Sequence, residues 1–334
     1  VYSPMTEMAM RRLKPGQQLR IKTLDPVSLS VVDVICKAER RETVELGGEE
    51  IPATLLSVGY QGMTMRSWMN DEGKVIRQET PLGWVMESCT QEEAMSLRFN
   101  AEGMDDMILA SSVPVSGGMI RPGQTDPLTL KLSGLHLPPE QLASPRQEVE
   151  RLSDTEARVV LHPARLPEQG TPIGEIPPGL ENFLAATPYV QADHPDILDQ
   201  ARRIAGDTTD SLEASRRLYG WVSSKITKSA TVSLPSALDV LEQRVGDCNE
   251  HTYLYVALAR SLGIPAQIRI GLVFSRGAFY YHAWPAVWVG EWVEMDPTLE
   301  QPAVDATHLA LLEGELAKQL ELMKVIGRLQ AEVE

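Results

Sequence analysis

Long apolar runs are missing from this chain. No stretch approaches the about 18 consecutive apolar residues that a membrane-spanning helix needs, so no transmembrane segment is expected. Positive charge is in short supply: 31 Lys and Arg against 46 Asp and Glu leave a formal net charge of −15. That balance argues against nucleic acid and against anionic membrane surfaces as partners. Aromatic residues make up only 5%, and there are three cysteines. An odd number leaves one thiol outside any bridge. Internal repeats, a Walker-type phosphate loop, a Rossmann glycine fingerprint and a calcium loop are also missing, so no cofactor is expected. Val1 is followed by no apolar leader, and a signal or anchor is expected to have been removed.

What is present describes a folded, two-part chain. At 334 residues, 43% hydrophobic and 23% charged, it has room for two domains. The first part reads as β. Residues 28–46, 50–60, 62–70, 74–79 and 83–89 are short β-rich runs. Gly47-Gly48, the stretch from Gly59 to Gly62 and Asn70-Asp-Glu-Gly73 punctuate them as hairpin turns. Residues 91–98 fit a brief helix, and strand signals recur at 128–134 and 157–161 amid prolines. Pro167, Pro172, Pro177 and Pro178 mark a linker or exposed crossing. Helical spacing begins after it, at 196–204, 212–225 and 236–244. The expected organisation is α+β: a β-rich region over 1–175, with a division near 105 as an alternative, then a second domain over 176–334.

Chemistry concentrates in the second domain. Cys248 follows Gly246-Asp247, a turn and N-cap pair, and opens an amphipathic helix that Gly263 and Pro265 stop. A nucleophilic cysteine needs its thiolate stabilised, and the partial positive charge of a helix N-terminus does that. His282 lies 34 residues further on and Asp296 another 14. The imidazole would take the thiol proton, and the carboxylate would hold its tautomer. A two-residue turn at Gly290-Glu291 would set Asp296 opposite Pro285, on the wrong face for His282. The triad therefore predicts a three-residue loop, or a bulge for which Pro285 is a natural site.

These blocks resemble a known family. Gly246-Asp-Cys-Asn-Glu-His251, Ala259-Arg-Ser-Leu-Gly-Ile-Pro-Ala266, His282-Ala-Trp284 and Asp296-Pro-Thr298 are similar, in order and spacing, to bacterial transglutaminase-like domains of the papain-like thiol fold. The likeness spans roughly residues 190–310. It implies a helix packed on a barrel-like antiparallel sheet, with Cys248 as nucleophile, His282 as base and Asp296 as the orienting acid. It also implies a peptide or protein amide substrate, as for a peptidase, deamidase or cross-linking acyltransferase. A bacterial envelope setting is favoured on the same ground, with a cytoplasmic one left open.

Other readings stand beside this one. A cysteine in a helix is more often a small core residue than a nucleophile. Cys248-x-x-His251 has metal-ligand spacing, which His282 could extend, but two ligands of the usual four would still be missing. No metal is expected, and His251 reads as a packing or hydrogen-bonding residue. Trp284, Trp288 and Trp292 read chiefly as core, with Trp284 and Asn249 the candidates for a substrate groove. Cys36 and Cys89 are expected to bridge, with two buried free thiols as the alternative. Past Thr307, Leu309, Leu312, Leu316 and Leu320 fit a docking helix, with a short strand over 325–333 or a partner-binding helix as variants. The alternative to an enzyme is a catalytically silent papain-like scaffold that binds peptide or envelope material. Oligomeric state is not readable.

Overall fold

The computed structural model describes residues 10–25, 30–60, 63–79, 85–96, 112–229, 236–315, 318, 322 and 327–334. The fold is α+β, and the chain divides into two compact units, residues 1–111 and 112–334.

The first unit is an antiparallel meander. Gln18–Asp25 (β1), Ser30–Leu46 (β2), Glu49–Tyr60 (β3), Met63–Asn70 (β4), Val75–Glu79 (β5) and Val85–Glu87 (β6) pair in chain order, and Gln91–Ser96 (α1) follows. The expected strands are all there. β1 was not among them, although Leu19 and Ile21 alternate with Arg20 and Lys22. A register shift at Ala38/Arg40 inserts one residue into β2, so opposite faces of β3 are buried on its two sides. Leu56 and Val58 pack with Val34, Cys36 and Ala38, whereas Ala53 and Leu55 pack with Val44 and Trp68. The expected bridge does not form. Cys36 is a buried free thiol, pushed up to about 11 by burial, and Cys89 is an exposed one. β2 and β6 are four strand positions apart, about 19 Å at the usual spacing, well beyond the reach of a disulfide.

The second unit is built on one mixed sheet. Its strands are Val113–Gly117 (β7), Leu128–Ser133 (β8), Gln147–Arg151 (β9), Glu156–Leu161 (β10), Ala266–Ser275 (β13), Ala278–Trp288 (β14), Trp292–Glu294 (β15), His308–Glu313 (β16) and Gln330–Val333 (β17). They run in the order β16-β13-β14-β7-β17-β8-β10-β9, with β15 on β14. The expected boundary at 175 is therefore not where the units part. Residues 113–161 are strands of the sheet that carries His282, joined to it where β7 pairs with β14. The prolines of 167–178 mark a crossing inside the unit. Residue 105 itself lies outside the described residues, and the units part close to it, between 111 and 112.

Helices Pro195–Ala205 (α2), Ser211–Lys225 (α3) and Ala237–Gln243 (α4) surround Cys248–Ser261 (α5). α5 is the central element, with Tyr253, Leu254, Tyr255, Val256, Ala257, Leu258 and Ala259 all fully buried. Thr252 donates to the Ala283 carbonyl at 3.0 Å, and the Tyr255 hydroxyl donates to the Ser215 carbonyl at 3.2 Å. Those two bonds pin α5 to β14 and α3. The tail departs from expectation at its start, because residues 308–313 are a strand, with Leu309 and Leu311 buried. Leu316 and Leu320 lie outside the described residues.

Candidate active site

The N-terminus of α5 is fixed by its own sequence. Asp247 is the N-cap, and its carboxylate accepts from the Asn249 N–H at 2.8 Å. Glu250 returns the contact, accepting from the Asp247 N–H at 2.9 Å, so a full capping box forms. Gly246 is required there: a Cβ at this position would lie 2.1 Å from that of Glu250. Cys248 is the first helical residue and is half-buried. Short parallel strands Thr227–Lys228 (β11) and Val245–Gly246 (β12) steady the approach to it. The two capping carboxyls share a confined space. Burial, then the hydrogen bond and charge of Glu250, push Asp247 up to about 7 against the opposing pull of the Asn249 N–H and of His282.

The register between β14 and β15 decides whether the triad assembles. Ala286 pairs with Glu294, Val287 with Val293 and Trp288 with Trp292, which leaves a three-residue loop, Val289-Gly290-Glu291. The Met295 N–H donates to the Pro285 carbonyl and continues that register. Asp296 therefore comes level with Trp284 and faces the same way as His282. The loop accounts for the whole shift. Pro285 carries no bulge, since β13 and β14 pair regularly along its length.

His282 Nε2 lies 2.7 Å from Asp296 Oδ2. Cys248 is close enough for its charge to act on the same ring. With Nε2 taken by Asp296, Nδ1 is the nitrogen left for sulfur. His282 is 8% exposed and Asp296 fully buried. Burial alone would push the imidazole down, but the charge of Asp296, then that of Cys248, outweigh it and raise His282 to about 10. Burial pushes Asp296 up, but the charge and hydrogen bond of His282 and the hydrogen bond of His308 hold it well below the usual carboxylate range.

His308 is the residue that sequence reasoning missed. Its Nε2 lies 3.0 Å from the same Asp296 oxygen, and its side chain is fully buried. It is the last of six histidines and stands in Asp305-Ala-Thr-His308, a polar step before an apolar run. That placement was the available signal. His282, Asp296 and His308 offer three atoms within 4.8 Å of one another, the spacing of a metal triad. Both imidazoles aim Nε2 at one oxygen at hydrogen-bond distance, so two N–H protons account for the arrangement. His251 does not join the cluster: it is buried, with Nδ1 2.7 Å from the Asp247 carbonyl oxygen.

Trp284 does not line an open groove. It is fully buried, its indole N–H donates to Glu294 at 2.8 Å, and its ring stacks on His282 with centroids 5.9 Å apart. It serves as a floor under the imidazole. Asn249, the residue after Cys248, is half-buried. Trp288 and Trp292 face each other edge-on at 5.7 Å, and Trp292 also meets Phe183. Across the rim, Lys228 pairs with Glu300 at 2.6 Å.

Residues 199–297 match the family model of the transglutaminase-like superfamily. Among solved structures, the chain is similar to a candidate cysteine protease from Cytophaga hutchinsonii, at 18% identity and a TM-score of 0.43, over 62% of this chain and 81% of that one. It is also similar to the periplasmic domain of TgpA from Pseudomonas aeruginosa bound to ethylmercury, at 15% identity and a TM-score of 0.31, over 53% and 91% of the two chains. Among curated proteins there is no significant match. No helix among the described residues is long and apolar enough to cross a membrane. Likeness at this level does not extend to activity.

Proposed function

The chain carries a transglutaminase-like superfamily domain over residues 199–297, and from that premise we propose that it is a thiol-dependent acyl-transfer enzyme acting on peptide or protein amides. One observation carries the reading: His282 Nε2 lies 2.7 Å from Asp296 Oδ2, on a ring whose charged form Cys248 also favours.

The chemistry follows from that arrangement. His282 takes the thiol proton, and the Cys248 thiolate adds to the amide carbonyl. As the tetrahedral intermediate collapses, the C–N bond breaks and His282 gives the proton to the departing amine. A thioester on Cys248 remains. Water or a second amine then adds to it, passing a proton to His282, and the sulfur leaves as thiolate. The Cys248 N–H, which the capping box leaves to one side, is suited to the developing oxyanion. Asp296 keeps the imidazole in one tautomer and stabilises its charged form. An extracytoplasmic setting is part of the proposal and agrees with the periplasmic domain named above.

Thiol chemistry tests this without a known substrate. In the intact protein, Cys248 should react with iodoacetamide at pH 6 faster than a free thiol, which is mostly protonated there at a pKa near ~8.5. His282→Ala should abolish that excess. Incubation with an envelope extract should leave a thioester adduct on Cys248, identified by mass and missing from Cys248→Ala. Turnover should fall by about 10³-fold or more in either variant. A Cys248 no more reactive than a free thiol would favour the silent scaffold.

A further inference from the structure

The geometry points to His308 as a positioning residue for the acyl-transfer reaction: it holds the Asp296 carboxylate in the one orientation from which that carboxylate can orient His282. This inference rests on the proposed triad. Asp296 has no freedom left on its other side, because its Oδ1 accepts from the N–H groups of Thr298 at 2.8 Å and Leu299 at 3.0 Å. Oδ2 is divided between two imidazoles, His282 at 2.7 Å and His308 at 3.0 Å. These come from different strands, β14 and β16, on either side of β13. An oxygen that accepts from both must lie where their two N–H directions converge. A carboxylate free to rotate would lose one of them.

His308 is itself fully enclosed. Its Nδ1 stands 3.5 Å from Asp305 Oδ1. Asp305 is in turn fixed, accepting from the N–H of Thr307 at 2.9 Å and from the N–H of Gly123 at 2.8 Å. Burial pushes the Asp305 carboxyl up, but the neighbouring His308 ring and the hydrogen bonds of Thr307 outweigh it and hold the group low. The His308 ring meets Trp284 edge-on at 5.1 Å and His282 at 6.0 Å. Arg146 donates to the His308 carbonyl at 2.9 Å and also pairs with Glu294, the acceptor for the Trp284 indole. The charged and titratable groups around His308 are thus Asp296, Asp305, His282, Arg146 and Glu294. Of these, only Asp296 receives its Nε2. A ring that donates from Nε2 serves the triad carboxylate, and its Nδ1 makes no hydrogen bond to Asp305.

Two amide side chains separate this role from simple packing. In His308→Gln the amide nitrogen sits where Nε2 was and can still donate to Asp296. In His308→Asn it sits where Nδ1 was and can reach only towards Asp305. The measurement is the rate of Cys248 alkylation against pH in the full chain, beside thermal unfolding of each variant. The Gln variant should keep the wild-type curve within about threefold. The Asn variant should lose about 10- to 100-fold at pH 6, the range for a residue that orients a functional ligand. Its rate–pH curve should move towards that of a free thiol. Equal curves for a folded Asn variant and the wild type overturn the inference. Equal losses in both variants overturn it too, because the donor at Nε2 would then not matter. A wild-type curve that already matches a free thiol overturns the triad itself, and this inference with it. That result is told apart because it needs no His308 variant.

Discussion

Asp296 is an ion in the protein interior, and the donors around it make that state affordable. Two backbone N–H groups and two imidazoles fill its acceptor sites. The linkage with pH follows in sign. Asp296 is depressed from an unfolded value near ~3.9, so its contribution to stability is present above that pH and is lost as pH falls through the folded value. His282 is raised to about 10 from an ordinary value near ~6.5, so its contribution is full below that value and is lost as pH rises through 10. The pair therefore supports the fold best between roughly pH 4 and 6.5. In denaturant titrations, wild type should lose stability on both sides of this window. Asp296→Asn should lose at least about 1.4 kcal/mol inside it, the worth of one pKa unit, and show flatter limbs. A variant curve parallel to that of wild type would contradict this account. At this scale Cys248, His282 and Asp296 were legible, because each stands in a distinctive local run. His308 was not: its polar step before an apolar run marks the residue but does not indicate that a strand will carry it back to a carboxylate 12 residues earlier.

Elements bring these side chains together, and the β14–β15 connection is the critical one. Alternation along a strand means that one residue more or fewer turns Asp296 to the opposite face. The need for a one-residue shift, by a three-residue loop or a bulge, could be deduced from the sequence, because period-two geometry leaves only two parities to choose between. Deleting Val293 from β15, with the three-residue loop kept, should pair Val287 with Glu294 and set Asp296 opposite Pro285. Cys248 alkylation at pH 6 should then fall to the free-thiol rate, while far-UV circular dichroism stays close to wild type. Retained reactivity would mean that the strand recovers its register beyond the loop. The start of the helix expected from 307 onwards was misread for a related reason, whereas residues 318 and 322 are helical and the short strand expected over 325–333 is β17. Leucines at three-to-four spacing also satisfy alternation over a short run, and Leu309 and Leu311 bury one strand face. Pairing with β13 settles which period applies, and the sequence pattern alone does not contain it.

At the scale of the molecule, the misplaced boundary carries the most information. Composition changes near residue 175, where prolines give way to helices, but the sheet does not respect that change. β8, β9 and β10 extend the sheet beyond β7 and β17. From this region Arg146 reaches a buried carboxylate, pairing with Glu294 at 2.8 Å with both side chains less than 10% exposed. Gln147 both accepts from the Ala310 N–H at 2.6 Å and donates to the Ala310 carbonyl at 3.0 Å. A fragment of residues 176–334 would leave Glu294 with the Trp284 indole N–H and, among the described residues, only the more distant cation Arg269, at 3.7 Å. Breaking a buried pair in this way costs about 3–5 kcal/mol, a large part of the stability of any domain. It would also expose one edge of β14 and both edges of β17. A fragment of residues 112–334 keeps all of these contacts. Expressed separately, the longer piece should unfold cooperatively and keep the fast alkylation of Cys248, and the shorter should be unfolded or insoluble. Should the shorter piece fold with a reactive Cys248, the strands before residue 175 would be an accessory to the site, and the Arg146–Glu294 pair would be dispensable.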